Sequence, residues 1–184
     1  SILITDPGFS WYTPLIRVEW LETYLGVDFP IYFKCENKQL TKSFKIRGAL
    51  NTFLQLSNEE KANGVICRSS GNFAQAVAYS AKLLGVKAKL VMPVHAPKVK
   101  VDGVKKYGGD VTLHGQSHFE GNQKRDELAR EYGYKVLNSY DSLEVIAGQG
   151  TVAIEVRKQL DSLDSFFCCV GGGGIMSGSA LVMR

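Results

Sequence analysis

The stretch GVICRSSGNFAQAVAYSAKLLG, residues 64–85, contains the pattern that decides the fold. Its first part, 64–69, is short and apolar, which predicts a strand. Between 74 and 84, alanine, valine and leucine side chains recur on one face at helical spacing, and Gly85 can end that helix. The polar loop SSGN, at 69–72, joins the two elements. This stretch therefore predicts a strand–loop–helix unit.

The same alternation continues along the chain. Further strands are predicted at 30–36, 87–93, 110–114, 134–138 and 165–170. Further helices are predicted from Ser43 to about Leu56, at 97–109, from Ser117 to about Tyr132, from Gln149 to about Leu160, and after the glycine run at 171–174. Repeated strand–helix units with apolar strands predict an α/β fold in which parallel sheets are covered by helices. We expect a small α/β domain at 64–138, inserted into a larger domain formed by 1–63 and 139–184.

Composition and charge exclude several classes of protein. The 184 residues are 45% hydrophobic and 22% charged, as in globular proteins, and the formal net charge is +4. The basic residues are scattered along the chain, which argues against a nucleic-acid partner. No apolar run is long enough to span a membrane, and no signal peptide is recognisable, so we expect no membrane partner and a cytoplasmic location.

The cysteines and histidines do not form a recognisable metal or disulfide pattern. Neither residue type shows the spacing of zinc ligands, so we expect no metal site. The four cysteines lack a Cys-x-x-Cys pair, and they fall in predicted strands. We therefore expect buried free thiols in a reducing compartment.

Four consecutive glycines occur in VGGGGIMSG, residues 170–178. Glycines allow the backbone to wrap closely around a ligand, and the predicted helix behind them adds its positive end, so the loop is suited to a phosphate. It is neither a Walker loop nor G-x-G-x-x-G. The alternative is a flexible linker, but an apolar strand and an apolar helix flank the run directly.

A second polar loop opens the helix after the strand at 64–69. Ser69, Ser70, Gly71 and Asn72 place hydroxyls, an amide and free backbone N–H groups at a helix N-terminus, where they can bind a carboxylate or a phenolate oxygen. The alternative is an ordinary helix cap. A cap needs only one such residue, however, and four in a row favour a binding site.

A third unusual stretch, SFKIRGA at 43–49, places Lys45 near the start of a helix that Ser43 can cap. The positive helix end disfavours the ammonium form, which lowers the pKa of the lysine and makes its amine available for a Schiff base with an aldehyde. The alternative for Lys45, as for Lys38, Lys42 and Arg47, is a solvated surface charge. Combined with a phosphate loop, however, a reactive lysine indicates pyridoxal phosphate (PLP), which carries both an aldehyde and a phosphate.

Six motifs together resemble a known family. They are ENxQxTxSFKIRGAL (36–50), SSGNxAQA (69–76), AKLLGVKA (81–88), MPxxAPKVK (92–100), VIAGQGT (145–151) and VGGGG (170–174). In this order they resemble the fold-type II PLP enzymes, whose architecture is that of the tryptophan synthase β subunit, and within them the threonine dehydratase and serine racemase branch. Members of this family continue well beyond the tetraglycine loop, so the C-terminal half of the larger domain is expected to be missing here.

The resemblance implies roles for individual residues. Lys45 would form the Schiff base with PLP and shuttle the α-proton, Phe44 would flank the ring, and Asn72 would bond the ring 3-hydroxyl. The phosphate would be held by Gly171, Gly172, Gly173, Gly174 and the backbone of Ile175. Ser69, Ser70, Gly71 and the amide of Phe73 would bind the substrate, and Ser70 would also be catalytic as the proton carrier on the face opposite Lys45.

The activity implied by the resemblance is PLP-dependent dehydration and deamination of L-threonine or L-serine to a 2-oxo acid and ammonia. The alternatives are serine racemisation, and an inert PLP-binding fragment or remnant. The partner would be a small hydroxy amino acid, and a homodimer is expected. Two residues depart from the family pattern: Lys42 stands where glycine is usual, and Phe73 stands where histidine is usual.

Overall fold

The computed structural model describes residues 10–69 and 71–184. In chain order its elements are β1 (Leu15–Arg17), α1 (Glu19–Leu25), β2 (Tyr32–Lys34), a 3₁₀ turn (Glu36–Lys38), α2 (Lys45–Gln55), α3 (Asn58–Asn63), β3 (Val65–Arg68), α4 (Asn72–Leu84), β4 (Ala88–Met92), α5 (Lys98–Lys106), β5 (Asp110–Leu113), α6 (His118–Tyr132), β6 (Lys135–Val136), α7 (Leu143–Gln159) and α8 (Gly174–Met183).

A four-stranded parallel sheet, in the order β5-β4-β3-β6, forms the centre of the region 64–138. All four of its strands lie at predicted positions, and helices cover both faces, so the predicted α/β fold is confirmed. Successive strand residues point to opposite faces. Val65 and Cys67 therefore pack into the core shared with α2, α4 and α5, whereas Ile66 packs with Leu128 of α6 on the other face. Whether 64–138 is a separate domain stays a prediction.

The carboxyl ends of these strands lie at one edge of the sheet. There, β3 leads into the loop at 69–72, and β6 leads into the loop at 137–142. Ligands of open α/β sheets bind at this edge. Helix α2 packs against α4 and α7, and its first residue, Lys45, bonds to Ser139 in the loop after β6, so α2 begins at the same edge.

Two of the predicted strands differ from the structure. The run at 30–36 contains only β2, which pairs antiparallel with β1 in a separate two-stranded sheet. The strand predicted at 165–170 is wrong: within the described part of the chain no strand pairs with this run, which has no regular secondary structure. Phe167 is 93% exposed and Val170 is 64% exposed. An apolar run forms a strand only where a neighbouring strand can pair with it.

Three helical features were missed or misplaced by the sequence analysis. Helix α1 has no side-chain cap that would mark its start. Helix α3 does carry a signal, because Ser57 and Glu60 form a reciprocal capping box. Helix α7 begins at Leu143 instead of Gln149, since Ser142 accepts the N–H of Val145.

A buried charged cluster joins α2 to α7, and it corrects the alternative assignment of Arg47 as a surface charge. The Arg47 side chain is fully buried. Its guanidinium donates to both oxygens of Glu36 at 2.8 Å and to those of Glu155 at 2.6 and 2.9 Å. Lys34 Nζ donates to the same Glu155 at 2.6 Å. Lys38 and Lys42, in contrast, are exposed.

Candidate active site

Lys45 is the first residue of α2, and its amine lies in a partly enclosed position. The Nζ atom donates to the backbone oxygen of Ser139 at 2.9 Å. The rings of Phe44 and Phe73 flank it, with centroids 5.2 and 5.9 Å away. Burial lowers the pKa of Lys45, and the nearby Cys169 thiol opposes that shift in part. The amine is thus held in place and is deprotonated more readily than that of a surface lysine.

The cap predicted for this helix is wrong. Phe44, not Ser43, occupies the N-cap position of α2, and it provides no side-chain hydrogen bond. The Ser43 side chain is buried, and among the described residues its Oγ atom has no hydrogen-bond partner. The same is true of Thr41 Oγ1 in the preceding turn. Buried hydroxyls without partners are uncommon in proteins, and they indicate a polar environment next to Lys45 that a bound group can complete.

The tetraglycine loop packs against the residue that follows Ser139. A Cβ atom on Gly172 would lie 2.1 Å from the Tyr140 ring, and one on Gly174 would lie 2.9 Å from the Tyr140 backbone oxygen. Gly173 has a φ of 89°, which side chains rarely allow. All three positions, 172, 173 and 174, therefore require glycine. The segment 139–140 thus connects Lys45 to the loop.

Helix α8 starts directly from this loop. Gly173 is its N-cap residue, and Gly174 and Ile175 form its buried first turn. Gly171 and Gly172 are exposed, and nothing lies within 4 Å of where a Cβ on Gly171 would be. Exposed glycine backbone in front of a helix N-terminus is suited to an anion, since the first N–H groups of a helix lack intrahelical acceptors.

The loop at 69–72 brings further predicted residues to the same sheet edge. Ser69 Oγ accepts the N–H groups of Gly71 and Ala74, both at 3.3 Å, and so acts as a cap for α4. Asn72 is exposed, and its Oδ1 accepts from Lys100 Nζ at 2.7 Å. Phe73 is buried and supplies an apolar wall beside Lys45. The catalytic and substrate-binding role predicted for Ser70 falls on a residue outside the described part of the chain.

Sequence reasoning missed Ser139, Tyr140 and Lys100. The signal for the first two was the segment NSYD after β6, where Asn138 Oδ1 accepts the N–H groups of Tyr140 and Asp141. Such a turn exposes carbonyl groups at the sheet edge.

The cysteines were predicted only in part. Cys67 is buried, which raises the pKa of its thiol to about 12, but Cys35 and Cys168 are half-buried and Cys169 is exposed.

The described residues contain no helix long and apolar enough to span a membrane. Neither do they contain a group of three or more acidic, histidine or cysteine side chains that could hold a metal ion.

These features define a class of protein, one that holds a phosphorylated aldehyde. They combine a lysine amine that is readily deprotonated, a glycine loop at a helix start and a polar loop that carries the Asn72 amide. The residues fit PLP: Lys45 suits the aldehyde, the loop at 171–174 suits the phosphate, and Asn72 suits the ring oxygen.

Comparison with known proteins gives the family. The model of the pyridoxal-phosphate dependent enzymes matches residues 8–184, and the chain belongs to this family. It is 45% identical to a serine racemase of Schizosaccharomyces pombe, over 84% of this chain and 48% of that protein. It is also 45% identical to an L-threo-3-hydroxyaspartate ammonia-lyase of Saccharomyces cerevisiae, over 94% of this chain and 52% of that protein.

Solved structures show the same fold. A processed threonine deaminase isoform 2 from Solanum lycopersicum matches with a TM-score of 0.90 and 40% identity, over 98% of this chain and 50% of that one. A maize serine racemase matches with a TM-score of 0.91 and 36% identity, over 95% of this chain and 52% of that one. The predicted family, fold class and cofactor are confirmed, and the chain spans about half the length of these relatives.

Proposed function

We propose that this chain carries the lysine, phosphate and carboxylate sites of a PLP-dependent lyase that dehydrates and deaminates L-serine or L-threonine to a 2-oxo acid and ammonia. One observation carries the proposal. The half-buried amine of Lys45 lies 2.9 Å from Ser139 O, and the next residue, Tyr140, packs on the glycine loop. The names of the relatives support the choice of hydroxy amino acids as substrates.

Each residue has a task in this proposal. The backbone of Gly171–Gly174 and Ile175 binds the phosphate, Phe44 lies against the ring, and Asn72 donates to its 3-hydroxyl. The backbone N–H groups at the start of α4, with Ser69, Gly71 and Phe73, receive the substrate carboxylate. When bound, PLP supplies an electron sink that makes the substrate Cα–H acidic. Neutral Lys45 would accept that proton at Nζ and pass it to the β-oxygen, so that the β-hydroxyl leaves as water. The enamine that remains would then take up one water and give the 2-oxo acid and ammonia.

The test has two stages. The purified chain, mixed with PLP, is expected to develop an absorbance band near the visible range that Lys45→Ala abolishes. Release of 2-oxo acid from L-serine or L-threonine then distinguishes a lyase from an inert PLP-binding fragment. Absence of the band in the unmodified chain would refute the proposed site, and a band without oxo acid would refute the activity of this chain.

Serine racemisation is the second candidate, favoured by the serine in SSGN and by the identity to a serine racemase. In this reaction Ser70 returns a proton to the face of Cα opposite Lys45. Chiral analysis of the remaining serine tests it, with Ser70→Ala as the control. Appearance of D-serine that Ser70→Ala does not reduce would exclude this role for Ser70.

We also propose a homodimer in the cytoplasm, with 64–138 as a small domain inserted between 1–63 and 139–184. The exposed aromatic side chains of α1 support self-association. The four free cysteines support a reducing compartment.

A further inference from the structure

We propose that Lys100 is a positioning residue for the cofactor ring: it holds the Asn72 amide so that the nitrogen, not the oxygen, faces the ring 3-hydroxyl. This inference rests on the proposed role of Asn72. It adds a residue that lies on another helix and that acts through Asn72 without touching the reacting atoms.

The hydrogen bond between the two side chains defines which end of the amide faces which partner. Lys100 Nζ lies 2.7 Å from Asn72 Oδ1. A lysine ammonium has three donors and no acceptor, so the amide atom facing it has to be the oxygen. The Asn72 nitrogen is then the end that remains for another partner, and that nitrogen can only donate. An acceptor such as the oxygen of an ionised ring hydroxyl matches it.

The stem of Lys100 is also placed by the loop. Its Cδ, Cε and Cγ atoms lie 3.6, 3.7 and 3.8 Å from the position of a Cβ on Gly71. The side chain thus runs from α5 along the backbone of Gly71 to Asn72. Asn72 itself is exposed, so without this bond its amide could rotate freely. The bond also polarises the amide and strengthens its N–H groups as donors.

A neighbouring lysine offers a matched control. Lys98 lies one half-turn earlier on α5, its side chain is 88% exposed, and it pairs with Asp102. Lys98→Met therefore removes the same charge from the same helix without affecting Asn72. A loss of PLP affinity shared by Lys98→Met and Lys100→Met would report a general attraction between positive charge on α5 and the phosphate. A loss confined to Lys100→Met would report the bond to Asn72.

The experiment titrates the unmodified chain and its Lys100→Met, Lys100→Arg and Lys98→Met variants with PLP and with its 3-deoxy analogue, which lacks the ring hydroxyl. We expect Lys100→Met to weaken PLP binding by about 5- to 10-fold, the loss of one charge-assisted hydrogen bond in a partly exposed site. The same variant should weaken binding of the 3-deoxy analogue by less than about 2-fold, because the analogue has no ring 3-hydroxyl for the Asn72 amide to bond. Lys100→Arg should retain PLP affinity, and Lys98→Met should leave both affinities unchanged.

Three outcomes would overturn the inference. The first is that Lys100→Met binds PLP as tightly as the unmodified chain does. The second is that Lys100→Met loses as much affinity for the 3-deoxy analogue as for PLP. The third is that Lys98→Met loses as much PLP affinity as Lys100→Met does. If the unmodified chain itself takes up no PLP, the proposed function fails as well. A direct check uses the cofactor-free protein: the side-chain amide signals of Asn72 in an NMR spectrum should shift in Lys100→Met and stay in place in Lys98→Met.

Discussion

At the scale of single residues, the enclosure of Lys45 determines its reactivity. Burial between two aromatic rings lowers the pKa of the amine, and the charge interaction with Cys169 partly opposes the shift. The neutral amine is therefore present at lower pH than in a free lysine, whose pKa is about 10.4. The rate at which PLP absorbance develops should rise with pH, and its midpoint should lie below that value.

Cys169→Ser provides the matched variant for this measurement. Replacing Cys169 removes the influence that raises the pKa of Lys45, so the midpoint should move further down. A midpoint at or above the value of a free lysine, or an upward movement in Cys169→Ser, would contradict the enclosure of the amine.

At Lys42, in contrast, the backbone conformation matters more than the side chain. It has a φ of 61°, and it is the one non-glycine residue with positive φ in the described ranges 10–69 and 71–184. The left-handed region costs an ordinary residue roughly 1–2 kcal/mol, which a glycine avoids at some cost in chain entropy. Lys42→Gly should therefore raise the free energy of unfolding by about 0.5–1 kcal/mol. Chemical denaturation measures it, and a loss of stability would refute the strain.

The sequence predicted Lys45, the glycine loop and the loop at 69–72, because each has an unusual local composition. It could not predict Ser139, Tyr140 or Lys100. These have ordinary local surroundings, and their importance comes from contacts across 94 residues in the pair Lys45–Ser139 and across 28 residues in the pair Lys100–Asn72. Only the packing of α2, α4 and α5 around the sheet brings such pairs together.

At the scale of secondary-structure elements, the buried cluster around Arg47 fixes α2 against α7. Arg47→Met would leave Glu36 and Glu155 without their main partner in a buried site. Breaking a buried pair in this way costs roughly 3–5 kcal/mol. Denaturant unfolding of the variant should show a loss of this size at neutral pH. Lys158→Met, at an exposed position of α7, is the control and should show almost none.

The loss in Arg47→Met should also depend on pH. Burial alone would raise the pKa of Glu155, but Arg47 and Lys34 outweigh burial and hold it below its usual range. Such a carboxylate stabilises the folded state above its unfolded pKa of about 4.3, and the effect is lost as pH falls through the folded pKa. The difference between the parent chain and Arg47→Met should therefore shrink in acid. A constant difference would contradict the ion pair.

Elements were predictable from sequence where the local pattern and the packing agree. The four strands of the parallel sheet are examples, because each apolar run has a neighbour to pair with. The run at 165–170 shows the limit: its apolar residues indicate a preference for burial, but pairing depends on which other segments lie beside it. Phe167 remains 93% exposed.

At the scale of the whole molecule, a large apolar surface remains uncovered by the described residues. On α1, Trp20 and Tyr24 lie four residues apart on one helix face and are 67% and 81% exposed, and Phe29 nearby is 57% exposed. Exposed aromatic side chains grouped on one helix face in this way usually mark an interface. We therefore expect the chain to self-associate through α1.

Sedimentation velocity over a range of concentrations tests this expectation. The unmodified chain should sediment as a concentration-dependent dimer or larger species, and a double variant, Trp20→Glu with Tyr24→Glu, should shift it to the monomer. Phe119→Glu is the matched control, since Phe119 is 69% exposed but lies on a different helix, α6. A cooperatively melting, monodisperse monomer of the unmodified chain would show that this surface needs no partner. A dimer that persists in the double variant but dissociates on Phe167→Glu would move the interface to the segment at 165–170, because Phe167 in that segment is 93% exposed.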